Sequence, residues 1–208
     1  MKLGEIKIEA LKLMFVNNTN EMNIESFTNL MNDENYASYL VNMRGAINRA
    51  LDRIKNARVL QLKSIKLDLT AAEISKHYIR YDLPANIKDF YMLERVVFED
   101  EEGGYEDDTE YQTEGGVIVL PNIPGEYKIL YHQNIDYVPS DMADTDELPI
   151  PDDIARLIPY FIKGDLYQED EPNLAADARN TFEACLQDIK IQHQGHTNNM
   201  VMKYTENN

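Results

Sequence analysis

The chain has 208 residues and a formal net charge of −17, a length that holds one good-sized domain or one domain with a small subdomain. That charge excludes general nucleic-acid binding unless a local basic patch dominates, and the single cysteine, Cys185, excludes an intrachain disulfide. No apolar run approaches the about 20 residues that a membrane span needs. The opening stretch MKLGEIKIEALKLMF sets acids inside its apolar pattern and has no small-residue cleavage site, so no signal peptide is expected.

Taken in chain order, residues 3–16 place Leu3, Ile6, Ala10, Leu11, Leu13 and Met14 mostly on one helical face. Asn17, Asn18 and Asn20 end that pattern. The strongest periodicity predicts a helix over 34–61, with Tyr36, Tyr39, Leu40, Met43, Ala46, Ile47, Ala50, Leu51 and Ile54 on one stripe. Asp33 is its expected N-cap, with Glu34 in the first turn. Such a helix spans roughly 40 Å.

The character changes after Val59. Ile65–Leu69 alternates like a strand, and Tyr81-Asp82-Leu83-Pro84 forbids a helix running through the proline. Strands are expected at 93–98, Tyr105–Gln112, Val117–Leu120 and Tyr127–Tyr131, with Gly103-Gly104 and Gly115-Gly116 as turns. Four or five short strands make a small sheet covered on one face. An acidic connection follows at 133–149. Helices are predicted from Pro151 or Asp152, kinked at Pro159, and from about Leu174 to Gln192, the two forming an antiparallel αα-hairpin. Cys185 falls on the apolar face of the second and is expected in the core.

The expected fold is therefore α+β and mainly α. A helical core, 1–62 and 150–193, carries a long central helix, a C-terminal αα-hairpin and a small antiparallel β-insertion at 63–132. The tail, 194–208, is expected to be flexible, with Met200, Val201, Met202 and Tyr204 as a short apolar island that a partner could order.

Charge is segregated along this layout. Residues 44–66 hold seven bases and one acid, whereas 99–114 (EDEEGGYEDDTEYQTE) hold nine acids and no base. Opposite patches on one molecule permit head-to-tail association, which closes into rings where the rotation allows. The candidate subunit seam is Arg44, Arg49, Arg53 and Arg58 facing Glu101, Glu102, Asp107 and Asp108 of a neighbouring copy; an ordinary solvated helix face is the bland alternative. A channel of arginines for DNA fits poorly with the surplus of acids. Tyr36 and Tyr39 are read as core or, in the sharper reading, as part of an apolar binding patch.

No catalytic constellation emerges, and neither an enzyme nor a cofactor is expected. There is no P-loop, nucleophile elbow or dinucleotide fingerprint. His193 and His196 are three apart, but Gly195 lies between them and no third ligand is near. His77 and His132 read as ordinary polar surface positions. Asp141, Asp144, Asp146 and Glu147 lack the spacing and glycine of a calcium loop and read as a solvated linker.

The order of elements and several short stretches resemble the head-to-tail connector (neck adaptor) proteins of tailed bacteriophages, over most of residues 35–190. The stretches are the helical half with Tyr39, Met43, Ala46, Ile47 and Ile54, and the Tyr81-Asp82-Leu83-Pro84 step followed by Asp89-Phe90. Next come Gly116–Leu120 followed by Gly125–Tyr131, and Asp146–Asp152 leading into Ile158–Ile162. The last is a closing hairpin through Asp165–Tyr167, Asp170-Glu171, Ala175, Ala178 and Phe182. The resemblance implies a homo-oligomeric, typically dodecameric ring in the virion neck, made in the host cytoplasm. It binds the portal above and a tail protein below, with DNA passing through and no membrane contact. It also implies that a C-terminal segment docks on the portal, the role matched in kind by Met200, Val201, Met202 and Tyr204. From a different class, an acidic decoy that mimics DNA and inhibits a DNA-binding enzyme shares the bulk charge, although the basic helix would spoil the mimicry.

Overall fold

A computed structural model describes residues 1–15, 22, 27–69, 77–99, 105–107 and 110–202. The chain divides into two compact units, Met1–Val59 with Ile135–Asn208, and Leu60–Asn134.

The first unit is helical. α1 (Leu3–Met14) buries Leu3, Ile6, Ile8, Ala10, Leu11 and Met14. α2 (Phe27–Asn32) is a short helix that the periodicity does not announce. α3 (Glu34–Ala57) buries Tyr36, Leu40, Met43, Ala46, Ile47, Ala50, Leu51 and Ile54, and the Asp33 carboxylate accepts from the Asn35 backbone N–H as its cap. It stops at Arg58, which sits in the left-handed region (φ 58°), a conformation that ends helices but disfavours side chains other than glycine. The helix is thus shorter at its end than the pattern alone predicts.

Pro159 breaks the next predicted helix rather than bending it. α5 (Asp152–Ala155) ends, and α6 (Ile158–Leu166) restarts with the proline in its first turn, where no intrahelical N–H bond is lost. α7 (Pro172–Met202) packs back on α6 through Ala175, Ala178, Phe182 and Leu186, with Phe161 meeting Phe182 edge to face at 5.1 Å. Helix α7 continues through Gly195 to Met202 instead of ending near Gln192. A glycine inside a helix costs about 1 kcal/mol but does not stop it without a left-handed turn.

The acidic stretch 141–147 is not a free linker. Backbone carbonyls of Asp144 and Asp146 accept from Gly4 and Leu3, and Lys7 Nζ reaches Asp144 at 2.7 Å, which ties it to the start of α1. Farther along, Lys163 Nζ and the Tyr167 hydroxyl donate to the carbonyls of Leu13 and Met14, satisfying the open C-terminal end of α1.

The second unit corrects the expected fold class. It is no minor insertion in a mainly helical bundle: among the described residues seven strands form two antiparallel sheets, so the protein is a mixed helix-and-sheet fold. One sheet has the order β1-β7-β3-β4 and the other β2-β6-β5, from β1 (Lys63–Leu69), β2 (Tyr78–Asp82), β3 (Phe90–Glu99), β4 (Tyr105–Asp107), β5 (Gln112–Glu114), β6 (Val117–Pro121) and β7 (Gly125–Gln133). Val96 of β3 and Tyr127, Ile129 and Tyr131 of β7 pack with Ile118 and Leu120 of β6 in one core, the arrangement of a small sandwich.

α4 (Leu83–Asn86) adds Leu83 and adjacent Ile87 to that core, with Pro84 in its first turn and the Asp82 carboxylate accepting from Ala85 N–H. Proline is tolerated there because the first turn has no bond for it to break. Alternating strands of this kind, each with one inward face, look from sequence like several weak signals rather than a closed core. The turn between β5 and β6 is Gly115-Gly116, both at positive φ (57° and 90°), as a two-residue hairpin of primed type requires.

Candidate interaction surface

The basic stripe of α3 is spent in part within its own unit. Arg49 makes a two-pronged contact with Asp165 at the end of α6 (Nε–Oδ1 3.2 Å, Nη2–Oδ2 2.5 Å), and Arg53 makes another with Glu183 of α7 (2.7 and 2.6 Å). The hydrogen bonds that the guanidinium groups donate to these carboxylates raise both guanidinium pKa values above their ordinary range. The forks fix how α6 and α7 sit against α3. In contrast, Arg44 and Arg58 are exposed and form no ion pair among the described residues.

Of the acids expected to oppose them, Glu101, Glu102 and Asp108 lie outside the described residues, and Asp107 is placed only as backbone in β4. Met200, Val201 and Met202 fall on the last turns of α7, with Tyr204 outside the described residues.

Two concave features lie along α3. A groove of about 680 Å³ runs between its outer face and the α6–α7 connection, with Val41, Arg44 and Arg49 on one wall and Asp165, Glu169 and Asp170 on the other. Val41 is 71% exposed at its lip. Both signs of charge line this groove, so it has no net preference for an acidic or a basic ligand. A smaller cavity of about 190 Å³ lies at the C-terminal end of α3, formed by Arg53, Asn56 and Ala57 with Glu183, Gln187 and Lys190 of α7.

Other sequence candidates resolve as packing. Tyr36 is buried and Tyr39 half-buried; Phe15 meets both edge to face at 5.0 and 5.3 Å, and Tyr39 faces Tyr167 at 6.2 Å. Cys185 is only half-buried, not a core thiol, because the α7 stripe that packs runs through Phe182 and Leu186 beside it.

His132 is a further correction. It is buried rather than on the surface, on the interior strand β7, with Nε2 2.9 Å from Glu94 and Nδ1 without a partner. The sequence hides this because a lone polar residue at an alternating strand position otherwise signals the solvent-facing side.

Sequence reasoning also missed a polar cluster in the β unit. The Tyr131 hydroxyl donates to Asp89 at 3.0 Å and Lys63 pairs with the same carboxylate. Lys63, first, and Tyr131 hold the Asp89 pKa below its ordinary value, while burial, first, and Asp89 push that of Tyr131 up to about 12. No spacing rule in the sequence joins residues 63, 89 and 131. Compared with known proteins, the chain matches no family model and no curated protein.

Proposed function

We propose that the chain is a non-enzymatic structural protein of a tailed-phage virion that forms a ring between the portal and the tail. The resemblance over residues 35–190 supplies the class. The observation that carries the reading in this fold is α7. At 31 residues it is about 46 Å long, yet its last buried side chain among the described residues is Leu186, and Ile191 beyond it is 57% exposed.

The helix thus extends well past the α6 surface that it packs on. Helices in proteins draw most of their stability from a packed face, so an extended end is best explained as an element completed by another molecule. In the proposed role that molecule is the portal, and Met200, Val201, Met202 and Tyr204 are the anchoring side chains, because a docking contact needs apolar burial beyond what charges supply.

The test is to mix the purified chain with a portal ring from the same genome and follow mass by light scattering and shape by negative-stain imaging. A stoichiometric ring of added density supports the reading, and truncation after Gln192 should abolish it while leaving the helical signal of the remainder. A chain that stays monomeric and ignores the portal overturns it.

A further inference from the structure

We propose that the corner formed by Arg58 and Lys190 is a docking surface for the acidic segment 99–114 of a second copy of this chain, a contact that rests on the ring reading above. Three observations on the helical unit converge on this corner. The cavity at the end of α3 brings Arg53 and Lys190 to its rim, with Glu183 as the acid. Both prongs of Arg53 hold Glu183, so that carboxylate is committed. Lys190 therefore has no carboxylate partner among the described residues, and neither does Arg58, which directly follows the cavity residue Ala57 and is exposed.

The sequence extends the same imbalance. From residue 189 to 205 there are two lysines and two histidines and no acid, in a chain whose net charge is −17. The corner is therefore a locally basic spot on a strongly acidic molecule. The complementary feature is the segment 99–114, with nine acids and no base. It belongs to the β unit, whereas the corner belongs to the helical unit, so each copy carries both halves of one contact. Matching unlike surfaces between identical copies generates a head-to-tail arrangement that closes into a ring when the rotation permits. The structure also narrows the seam: Arg49 serves Asp165 and Arg53 serves Glu183, and Lys190, which the sequence pattern does not single out, joins Arg58.

The decisive experiment is a reciprocal charge swap in the full chain, read by sedimentation velocity and, on the portal, by negative stain. One variant carries Arg58→Glu and Lys190→Glu; the other carries Glu101→Lys, Glu102→Lys, Asp107→Lys and Asp108→Lys. Circular dichroism checks that both are folded. Each variant alone should associate at least on the order of tenfold more weakly than wild type, because its two surfaces now repel. An equal mixture should assemble again, since only alternating copies present opposite charges at every contact. A variant that assembles like wild type, or a mixture that fails to recover, overturns the contact while leaving the ring reading intact. A wild-type chain that assembles neither alone nor on the portal overturns both. Loss of labelled duplex DNA binding in the first variant, with self-association unchanged, would assign the corner to nucleic acid and overturn the proposal.

Discussion

Gly164 sits where α6 and α7 approach closely, and its replacement by alanine sets two opposing effects against each other. A β-carbon added there would lie 2.6 Å from Arg179 Cγ, 3.1 Å from the Ala175 carbonyl oxygen and 3.3 Å from the Arg179 backbone nitrogen. The first contact can be relieved by swinging the Arg179 side chain, at the expense of its 2.7 Å hydrogen bond to Gln168. The other two are backbone and can be relieved only by moving α7. Helix propensity favours alanine by about 1 kcal/mol, whereas overpacking of this kind costs about 1–3 kcal/mol. With the exposed hydrogen bond contributing about 0.5–1.5 kcal/mol more, Gly164→Ala should lose about 0.5–3.5 kcal/mol net. Urea unfolding followed by far-ultraviolet circular dichroism reads this as a lower midpoint at unchanged slope. Gly45→Ala is the control, because the nearest neighbour of its new β-carbon is the mobile end of Arg49 at 3.3 Å; it should be neutral or gain up to about 1 kcal/mol. If Gly164→Ala proves as stable as wild type, the close approach of the two helices is wrong, and with it the account of how α7 is seated.

Phe182 is fully buried against Phe161, and Phe182→Ala should cost about 3–5 kcal/mol in the same assay. Tyr131 offers a pH signature in the β unit. Its folded pKa, about 12, lies above the ordinary value of 10, so its contribution is fully present below pH 10 and is lost as pH rises from 10 through 12. That loss is about 2–3 kcal/mol, and Tyr131→Phe should flatten this part of the stability profile measured by urea midpoints. The Arg53–Glu183 fork has both side chains nearly half exposed (47% and 45%), so a double-mutant cycle should return no more than about 1 kcal/mol. A coupling several times larger would mean that the fork is shielded from solvent.

The helical unit was legible because period and burial coincide: the α3 stripe from Tyr36 to Ile54 is the buried face, with Tyr39 alone of its predicted members half-buried. Its ends were less so. Arg58 stops α3 in a conformation that its own type disfavours, and Pro159 divides a helix that hydrophobic pattern alone would join. The β unit was read as strands but not as a sandwich, because closure of two sheets depends on pairings such as Lys63 with Tyr131 and Tyr81 with Ile118, which no local pattern encodes. For the candidate surface, charge segregation located the basic helix but could not tell committed arginines from free ones. Asp165 and Glu183, which decide that for Arg49 and Arg53, lie more than a hundred residues away.

The division of the chain has a consequence for how the protein is made. Every strand pairing of the β unit among the described residues lies between Lys63 and Gln133, so that stretch can close as soon as it clears the ribosome. The helical unit must wait: the ends of α1 are secured by Asp144, Lys163 and Tyr167, up to 153 residues downstream. At translation rates of about 5–20 residues per second, α1 and α3 wait several seconds for α6 and α7. During that time the apolar stripe of α3 has no α6 or α7 to cover it. Nascent chains stalled before residue 158 should therefore hold a finished sandwich beside two sticky, unpaired helices, the state in which a chaperone has the most to grip.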